Sequence, residues 1–209
     1  MLILQHPYTA IISGPTGCGK SQWVLELLKN IPQTTFDQVI YFYSIEQCLF
    51  YEMKKYSPKM IFSNDIQNMA LDSFDGRKTL IILDDMMAEA SENRFICDLF
   101  TKGSHHKNIS VILILQNFFY KGKLMRTISL NAHYIVLFKN PRDKSIINYI
   151  GRQICPEKYK CFKEAFDDAT RKPYGYLFID LKPNTDDRLR YLTNVFTEKA
   201  KRVIVYRCD

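Results

Sequence analysis

The segment from Gly14 to Ser21 constrains the fold more than any other part of the chain. It reads Gly-Pro-Thr-Gly-Cys-Gly-Lys-Ser and fits the pattern G-x-x-x-x-G-K-[ST]. The apolar run 10–12 precedes it and is typical of a buried strand. Four apolar residues follow it at the spacing of one helix face: Trp23, Val24, Leu27 and Leu28. The chain is therefore predicted to run from a strand through a glycine-rich turn into a helix.

This pattern predicts a phosphate-binding loop. Its glycines let backbone N–H groups point at phosphate oxygens, and the following helix presents its positive N-terminal end to the same anion. In this motif Lys20 contacts the β- and γ-phosphates, and the Ser21 hydroxyl ligates Mg²⁺. The alternative is a chance glycine turn, which the flanking strand and helix disfavour. The predicted ATP-binding residues are Gly14, Pro15, Thr16, Gly17, Cys18, Gly19, Lys20 and Ser21.

A second apolar run ends in two acidic residues, Asp84 and Asp85. Four consecutive apolar residues before them are typical of a strand buried on both faces of a parallel sheet. Beside a phosphate-binding loop, the acid at such a strand tip holds Mg²⁺, which assigns Asp84 to the metal. Asp85 then becomes the candidate that orients or deprotonates a water. Alternatively, both are solvated acids that open the next helix, where carboxylates are favoured.

A third apolar run, 109–115, ends in Gln116. A polar side chain at this strand tip would lie between the phosphate-binding loop and the acid pair, where it senses the γ-phosphate or aligns water. Alternatively, Gln116 only hydrogen-bonds a loop backbone. The predicted catalytic residues are therefore Lys20, Asp85 and Gln116.

The remaining pattern alternates strands and helices. We predict strands over 38–43, 59–62, 78–83, 109–115, 134–138, 174–181 and 203–206, with helices over 46–55, 88–100, 145–154 and 158–169 and one or two helical turns over 65–69. Such alternation predicts an α/β fold with a mainly parallel sheet and helices on both faces. With 209 residues and no repeat or linker, the chain is expected to form one domain that spans 1–209. The part of this domain from about residue 170 onward is expected to add further strands and a helix.

Charge is distributed unevenly along the chain. Of the 29 Lys and Arg and 22 Asp and Glu, residues 1–104 hold 9 and 12, and residues 105–209 hold 20 and 10, so the second half carries a net charge of +10. Such asymmetry indicates a polyanionic partner, although a solvated basic face is the alternative. No apolar run reaches the roughly 20 residues that span a bilayer, so we expect an intracellular chain without a membrane partner.

The six cysteines show neither a C-x-x-C pair nor zinc-ligand spacing. We expect them to be reduced thiols. Cys18 lies at the start of the predicted first helix, whose positive end is expected to lower the pKa of its thiol. Alkylation of Cys18 is therefore predicted to block ATP binding.

Several segments after Asp85 resemble a known family. They read GSHHKNISVILILQN at 103–117, RTISLNAH at 126–133, FKNPRD at 138–143 and PYGY at 173–176. Together with the second acid and the polar strand tip, they resemble the additional-strand (RecA/ASCE-like) P-loop ATPases of the FtsK–HerA superfamily. The resemblance is closest to the poxvirus-type genome-packaging ATPases, including relatives in Polinton-like viruses, and covers the chain from its first strand to about Leu192.

This resemblance implies a ring of subunits that hydrolyses ATP with Mg²⁺ and drives double-stranded DNA into a capsid. It implies capsid vertex proteins as partners and an infected cell, in the cytoplasm or viral factory, or the virion as the location. The family commonly has Glu where this chain has Asp85. It also uses an arginine from a neighbouring subunit, for which the candidates here are Arg126, Arg142 and Lys107.

Two further questions stay open at this point. Lys121 and Lys123 follow three aromatic residues and are candidates for contacts with DNA phosphates, the alternative being an exposed basic hairpin tip. Other function classes also remain: a P-loop kinase acting on a small molecule, or an ATP-binding switch in DNA or capsid assembly. The absence of an N-K-x-D sequence argues against a GTPase.

Overall fold

The computed structural model describes residues 4–67, 69–119, 122–196 and 202–208, with the side chains of Met87, Ala88 and His105 left undescribed. Its centre is a nine-stranded sheet in the order β3-β2-β4-β5-β1-β6-β7-β8-β9. The strands are β1 (Thr9–Ser13), β2 (Gln38–Tyr43), β3 (Met60–Ser63), β4 (Thr79–Asp84), β5 (Ile109–Leu115), β6 (Tyr134–Phe138), β7 (Tyr176–Asp180), β8 (Tyr191–Thr193) and β9 (Ile204–Tyr206).

The first six strands form the parallel part of the sheet, and β5 lies between β1 and β4. The apolar runs of β1, β4 and β5 are buried along their whole length, because helices cover both of their faces. The last three strands pair antiparallel with one another and with β6, and so extend the same sheet.

Helices pack on both faces of this sheet. They are α1 (Lys20–Asn30), α2 (Leu49–Tyr56), α3 (Met87–Glu92), α4 (Arg94–Asp98), α5 (Ser104–His106), α6 (Met125–Leu130), α7 (Ser145–Ile154) and α8 (Tyr159–Ala169). The apolar residues of α1 and α2 join one buried cluster, and those of α3, α4 and α6 to α8 join the other. Successive strand residues alternate between the clusters, as Ile11 and Ile12 do. The predicted α/β fold, with a mainly parallel sheet covered on both faces, is confirmed.

Some predicted elements are wrong in detail. The helix predicted over 88–100 is broken at Asn93, whose backbone is extended, and helical structure then continues through a π-helical turn to His106. Among the described residues of the segment 65–69, where helical turns were predicted, one turn forms, in which the N–H of Met69 donates to the carbonyl oxygen of Ile66 at 3.3 Å, but no helix follows. There, the side chains of Ser63 and Asp65 accept backbone N–H bonds from Asp65 and Gln67, which competes with helix formation.

Other elements were not predicted or differ at their ends. Helix α6 and strand β8 were missed, since both are short and β8 lies in a segment of mixed character. Helix α2 begins at Leu49 rather than at Glu46. Within the described residues, no helix has both the length and the apolar character needed to cross a bilayer.

The expectation that all six cysteines are reduced is wrong for one pair. Cys161 on α8 and Cys208 after β9 form a disulfide with a Cα–Cα distance of 5.6 Å, whereas Cys18, Cys48, Cys97 and Cys155 are free. The two residues are 47 positions apart in the sequence. They come together because β9, at the edge of the sheet, brings the chain back beside α8. Sequence spacing therefore could not indicate this pair.

Candidate functional site

Strand register brings three chain segments to one edge of the sheet. Ser13, the last residue of β1, lies opposite Leu115 on β5, and Asp84 lies opposite Ile114 on the other side of β5. Since these strands are parallel, the residues that follow them emerge at the same edge. The glycine-rich turn, the acid pair and Gln116 are therefore neighbours, as the sequence predicted.

The glycine-rich loop closes tightly between β1 and α1. Gly19 has φ 105°, a conformation that L side chains rarely adopt, and α1 begins at the next residue. A Cβ on Gly14 would approach both Cys18 Sγ and Phe138 Cβ to 2.6 Å. The Lys20 ammonium group donates to the carbonyl oxygens of Gly14 (2.6 Å) and Pro15 (3.0 Å), so it lies folded over the loop.

Asp84 is the buried carboxyl group of the site, with an exposed fraction of 5%. Its Oδ2 accepts hydrogen bonds from the hydroxyls of Tyr41 (2.7 Å) and Ser21 (3.5 Å) and from Nε2 of Gln47 (3.1 Å). Burial raises the pKa of Asp84, although hydrogen bonding to Tyr41 and the charge of Lys20 oppose this shift. All three donors therefore meet the same carboxyl oxygen, Oδ2.

Tyr41 and Gln47 were not predicted as site residues. Tyr41 lies in the middle of β2 and is fully buried, and a buried tyrosine hydroxyl usually has a hydrogen-bond partner. The expected burial of Tyr41 could have indicated that a polar group lies beside its hydroxyl. It could not have identified that group as Asp84. Gln47 lies in the loop before α2, and no sequence signal distinguishes it from other polar loop residues.

Asp85 and Gln116 form a second, exposed pair. Nε2 of Gln116 donates to Oδ1 of Asp85 at 2.8 Å. Asp85 has φ 57°, and the Ser44 hydroxyl donates to its carbonyl oxygen at 2.9 Å. A left-handed aspartate is uncommon and indicates backbone strain of the kind that clusters at functional sites.

These groups line a cavity of about 370 Å³ between the glycine-rich loop and β4 and β5. Its lining includes Lys20, Ser21, Asp84, Asp85 and Gln116. The hydroxyl of Ser21 and the carboxylate of Asp84 are hard oxygen donors, the type that Mg²⁺ prefers, and they lie 3.5 Å apart. The residues present therefore fit a magnesium ion, which Ser21 and Asp84 would hold.

Cys18 differs from the expectation. Burial raises the pKa of its thiol, and the opposing charge of Lys20 has the smaller effect. The thiol is half-buried behind the loop, against Gly14. The predicted lowering of its pKa is wrong, because loss of hydration outweighs the charge of Lys20 and the backbone hydrogen bonds of the loop.

The candidate basic residues lie apart from one another. Arg142 lines a separate cavity of about 450 Å³ together with Thr16 and Gln116, beside the loop of its own chain. Arg126 is exposed on α6. Lys107 pairs with Asp72 at 3.3 Å, at the opposite end of β5 from Gln116. Lys123 is exposed, and Lys121 lies outside the described residues.

No protein-family profile and no curated protein matches this chain. Among solved structures, it is similar to the genome packaging NTPase B204 from Sulfolobus turreted icosahedral virus 2. The complex of that protein with ATP-gammaS gives a TM-score of 0.58 at 14% identity over 98% of each chain, and the sulfate complex gives 0.60 at 14% identity over 87% of this chain and 95% of that one. The DNA-packaging ATPase B204 from Sulfolobus turreted icosahedral virus gives 0.58 at 15% identity, over 97% and 98%.

At such identities the likeness concerns the fold. It extends over nearly the whole length of both chains, so it includes the antiparallel strands as well as the parallel part of the sheet. The chain has the fold of the P-loop NTPases.

Proposed function

We propose that this chain is an ATP-hydrolysing motor subunit that moves double-stranded DNA into viral capsids. The observation that carries the proposal is the juxtaposition of two pairs at one sheet edge. One pair, Ser21 with Asp84, suits Mg²⁺, and the other, Gln116 with Asp85, suits a water molecule. The full-length fold likeness to viral genome-packaging NTPases supports the choice among P-loop proteins.

ATP would bind with its phosphates on the backbone of residues 14–21. Lys20 would leave the carbonyl oxygens of Gly14 and Pro15 and neutralise the β- and γ-phosphates. Ser21 and Asp84 would hold Mg²⁺, which when bound withdraws charge from the phosphate oxygens. Tyr41 and Gln47 would fix the Asp84 carboxylate through their hydrogen bonds to Oδ2.

Asp85 and Gln116 would act on the attacking water. The water oxygen bonds to the γ-phosphorus, the bond from that phosphorus to the bridging oxygen breaks, and Asp85 accepts the water proton. ADP and inorganic phosphate are the products. Gln116 would hold Asp85 in place through the 2.8 Å hydrogen bond and exchange that bond for the γ-phosphate or the water when ATP binds.

A motor also needs DNA contacts and communication between subunits. Lys121 and Lys123 are the proposed phosphate contacts, and the net charge of +10 in the second half of the chain would favour a polyanion. In a ring, a neighbouring subunit would supply a positive charge from Arg126, Arg142 or Lys107. Each single domain would then work within an oligomer in the infected cell or the virion, docked on capsid vertex proteins.

The first experiment measures ATP hydrolysis with and without double-stranded DNA at two salt concentrations. Lys20→Ala serves as the blank, since it removes the phosphate contact. We expect DNA to stimulate hydrolysis and salt to weaken the stimulation, because phosphate contacts release counterions. Asp85→Asn should lower kcat by roughly 10²–10⁴-fold if Asp85 acts as the base.

Variants at the basic residues make the test specific. Lys121→Ala combined with Lys123→Ala should reduce both the stimulation and its salt slope. Mixing Lys20→Ala subunits with subunits lacking one basic candidate should restore activity only if that residue acts across the interface. Hydrolysis that ignores DNA would contradict the motor and favour the small-molecule kinase, and binding of ATP without turnover would favour the assembly switch.

A further inference from the structure

A second cavity of about 570 Å³ adjoins the phosphate-binding loop, and Asp84 is not among the residues that line it. It meets the loop at Gly19 and runs along the first turns of α1. Four of its lining side chains are aromatic besides Trp23: Phe138, Tyr174, Tyr176 and Phe196. The polar lining residues are Gln22, Glu26 and Asn194. Aromatic rings around an open cavity next to a phosphate site suit a planar ligand attached to phosphate.

The rings form a connected group behind the cavity. Trp23 lies 5.0 Å from Phe196 and 6.1 Å from Tyr176 between ring centroids, and Phe138 lies 5.7 Å from Tyr176. Trp23 is buried, and its indole N–H lies near the Tyr176 hydroxyl without reaching hydrogen-bond geometry. The indole is therefore a fixed wall of the cavity, and among the described residues its N–H has no partner in hydrogen-bond geometry.

Tyr174 is the exposed aromatic residue of the cavity lining. Its side chain is 71% exposed, although it stands over the loop, close enough that a Cβ on Gly19 would lie 3.3 Å from Cδ1 of Tyr174. Its backbone has φ 63°, which is costly for an aromatic residue. An exposed ring held in a strained conformation suggests a use for its free face.

The chain on either side holds Tyr174 in this position. A Cβ on Gly175 would come within 2.4 Å of the Ala169 carbonyl oxygen at the end of α8, so only glycine permits this close approach. The N–H of Gly175 also donates to the carbonyl oxygen of Lys172 at 3.0 Å. The turn is thus pinned to α8, and it carries Tyr174 to the mouth of the cavity.

We propose that this cavity binds the purine base of the nucleotide by stacking on Tyr174, with Trp23 and Phe196 as the inner wall. The inference rests on the proposed nucleotide binding and deepens it, since it assigns the base as well as the phosphates. A base stacked on an aromatic side chain contributes enough that its removal weakens binding by roughly tenfold or more.

Trp23 offers a direct readout, because it is the only tryptophan in the chain. Its fluorescence is followed while the full-length protein is titrated with ATP, and separately with inorganic tripolyphosphate, which has the phosphates without the base. Tripolyphosphate affinity is measured by competition with ATP. We expect ATP to quench Trp23 and to bind more tightly than tripolyphosphate, which leaves the emission unchanged.

Substitution of Tyr174 then separates the base from the phosphates. Tyr174→Ala should weaken ATP binding about tenfold and leave the affinity for tripolyphosphate unchanged, which also shows that the variant is folded. Tyr174→Phe keeps the ring and should bind like the original protein. Tyr51→Ala, at a tyrosine 72% exposed on α2 and away from the cavity, is the matched control.

The outcomes distinguish the two proposals. Two results would overturn the base site and leave nucleotide binding standing. One is equal affinity of the original protein for ATP and tripolyphosphate. The other is a Tyr174→Ala variant in which both affinities are unchanged or both fall by the same factor. If neither compound binds the original protein, the proposed function fails and this inference fails with it.

Discussion

At the scale of single residues, Asp84 shows the conflict between stability and function. Its carboxyl group accepts hydrogen bonds from uncharged donors only, and burial raises its pKa above the value of an unfolded chain although the nearby charge of Lys20 opposes the shift. A raised pKa in the folded state means that folding is favoured when Asp84 is protonated. The contribution of Asp84 to the free energy of unfolding is complete below the pKa that it has in the unfolded chain. This contribution is lost as the pH rises through the pKa that it has in the folded state. At neutral pH, without a cation, burial of this carboxyl group therefore costs stability.

We accordingly expect Asp84→Asn to raise the Tm at neutral pH in the presence of EDTA. A gain of about 1 kcal/mol would correspond to about 2–4 °C in a chain of this size. The gain should disappear below about pH 4, where the original carboxyl is protonated as well. Thermal melts at both pH values check this, and the same variant should lose magnesium-dependent hydrolysis.

Asp85→Asn provides the matched control, because the neighbouring carboxylate is exposed and has no burial cost to relieve. Its Tm should change by no more than the equivalent of about 0.5 kcal/mol. A Tm for Asp84→Asn that does not exceed that of the original protein at neutral pH would mean that the three hydrogen bonds to Oδ2 already offset the cost of burial.

At the scale of elements, the break at Asn93 explains why one predicted helix is several short ones. The side-chain oxygen of Asn93 accepts the N–H of Phe95 at 2.9 Å and so caps α4. Without such a cap, the first N–H groups of α4 would lack a partner. The cap thus fixes where the chain turns, and the turn lets Phe95 and Ile96 reach the core.

Asn93→Ala should destabilise the protein by about 1 kcal/mol, the usual cost of losing a helix N-cap. Asn93→Ser keeps a capping oxygen and should remain close to the original stability. Urea denaturation of both variants measures the difference. Equal loss in the two variants would show that the extended backbone at Asn93, rather than its side chain, makes the break.

The site illustrates which features a sequence can predict. The loop 14–21, Asp84, Asp85 and Gln116 each follow a recognisable strand, so their meeting at one sheet edge follows from local patterns and the parallel sheet. Tyr41 reaches Asp84 from a neighbouring strand, which depends on strand order. Tyr174 reaches Gly19 only because α8 and β7 fold back towards α1. Contacts of that kind are set by tertiary packing and leave no local periodicity to detect.

At the scale of the whole molecule, the sheet edge at β9 is held by a covalent link. Strand β9 is only three residues long, and its Ile204 and Val205 are partly exposed. The disulfide between Cys161 and Cys208 ties the segment after β9 to α8, and the Tyr206 hydroxyl donates to Asp168 on the same helix at 2.7 Å. A short edge strand with few buried residues therefore depends on these links to stay paired.

Reduction should consequently lower the Tm without abolishing nucleotide binding, because the disulfide lies on α8 and the far sheet edge rather than at the phosphate-binding loop. In the chain-entropy account, closing a loop of 47 residues contributes about 4 kcal/mol at most.

Cys161→Ser and Cys208→Ser should each reproduce the effect of the reductant and become insensitive to it, whereas Cys48→Ser, at an exposed free thiol, should behave like the original protein. Thiol titration of the unfolded protein before and after reduction gives the direct count. Six free thiols before reduction would contradict the link and restore the expectation that all cysteines are reduced.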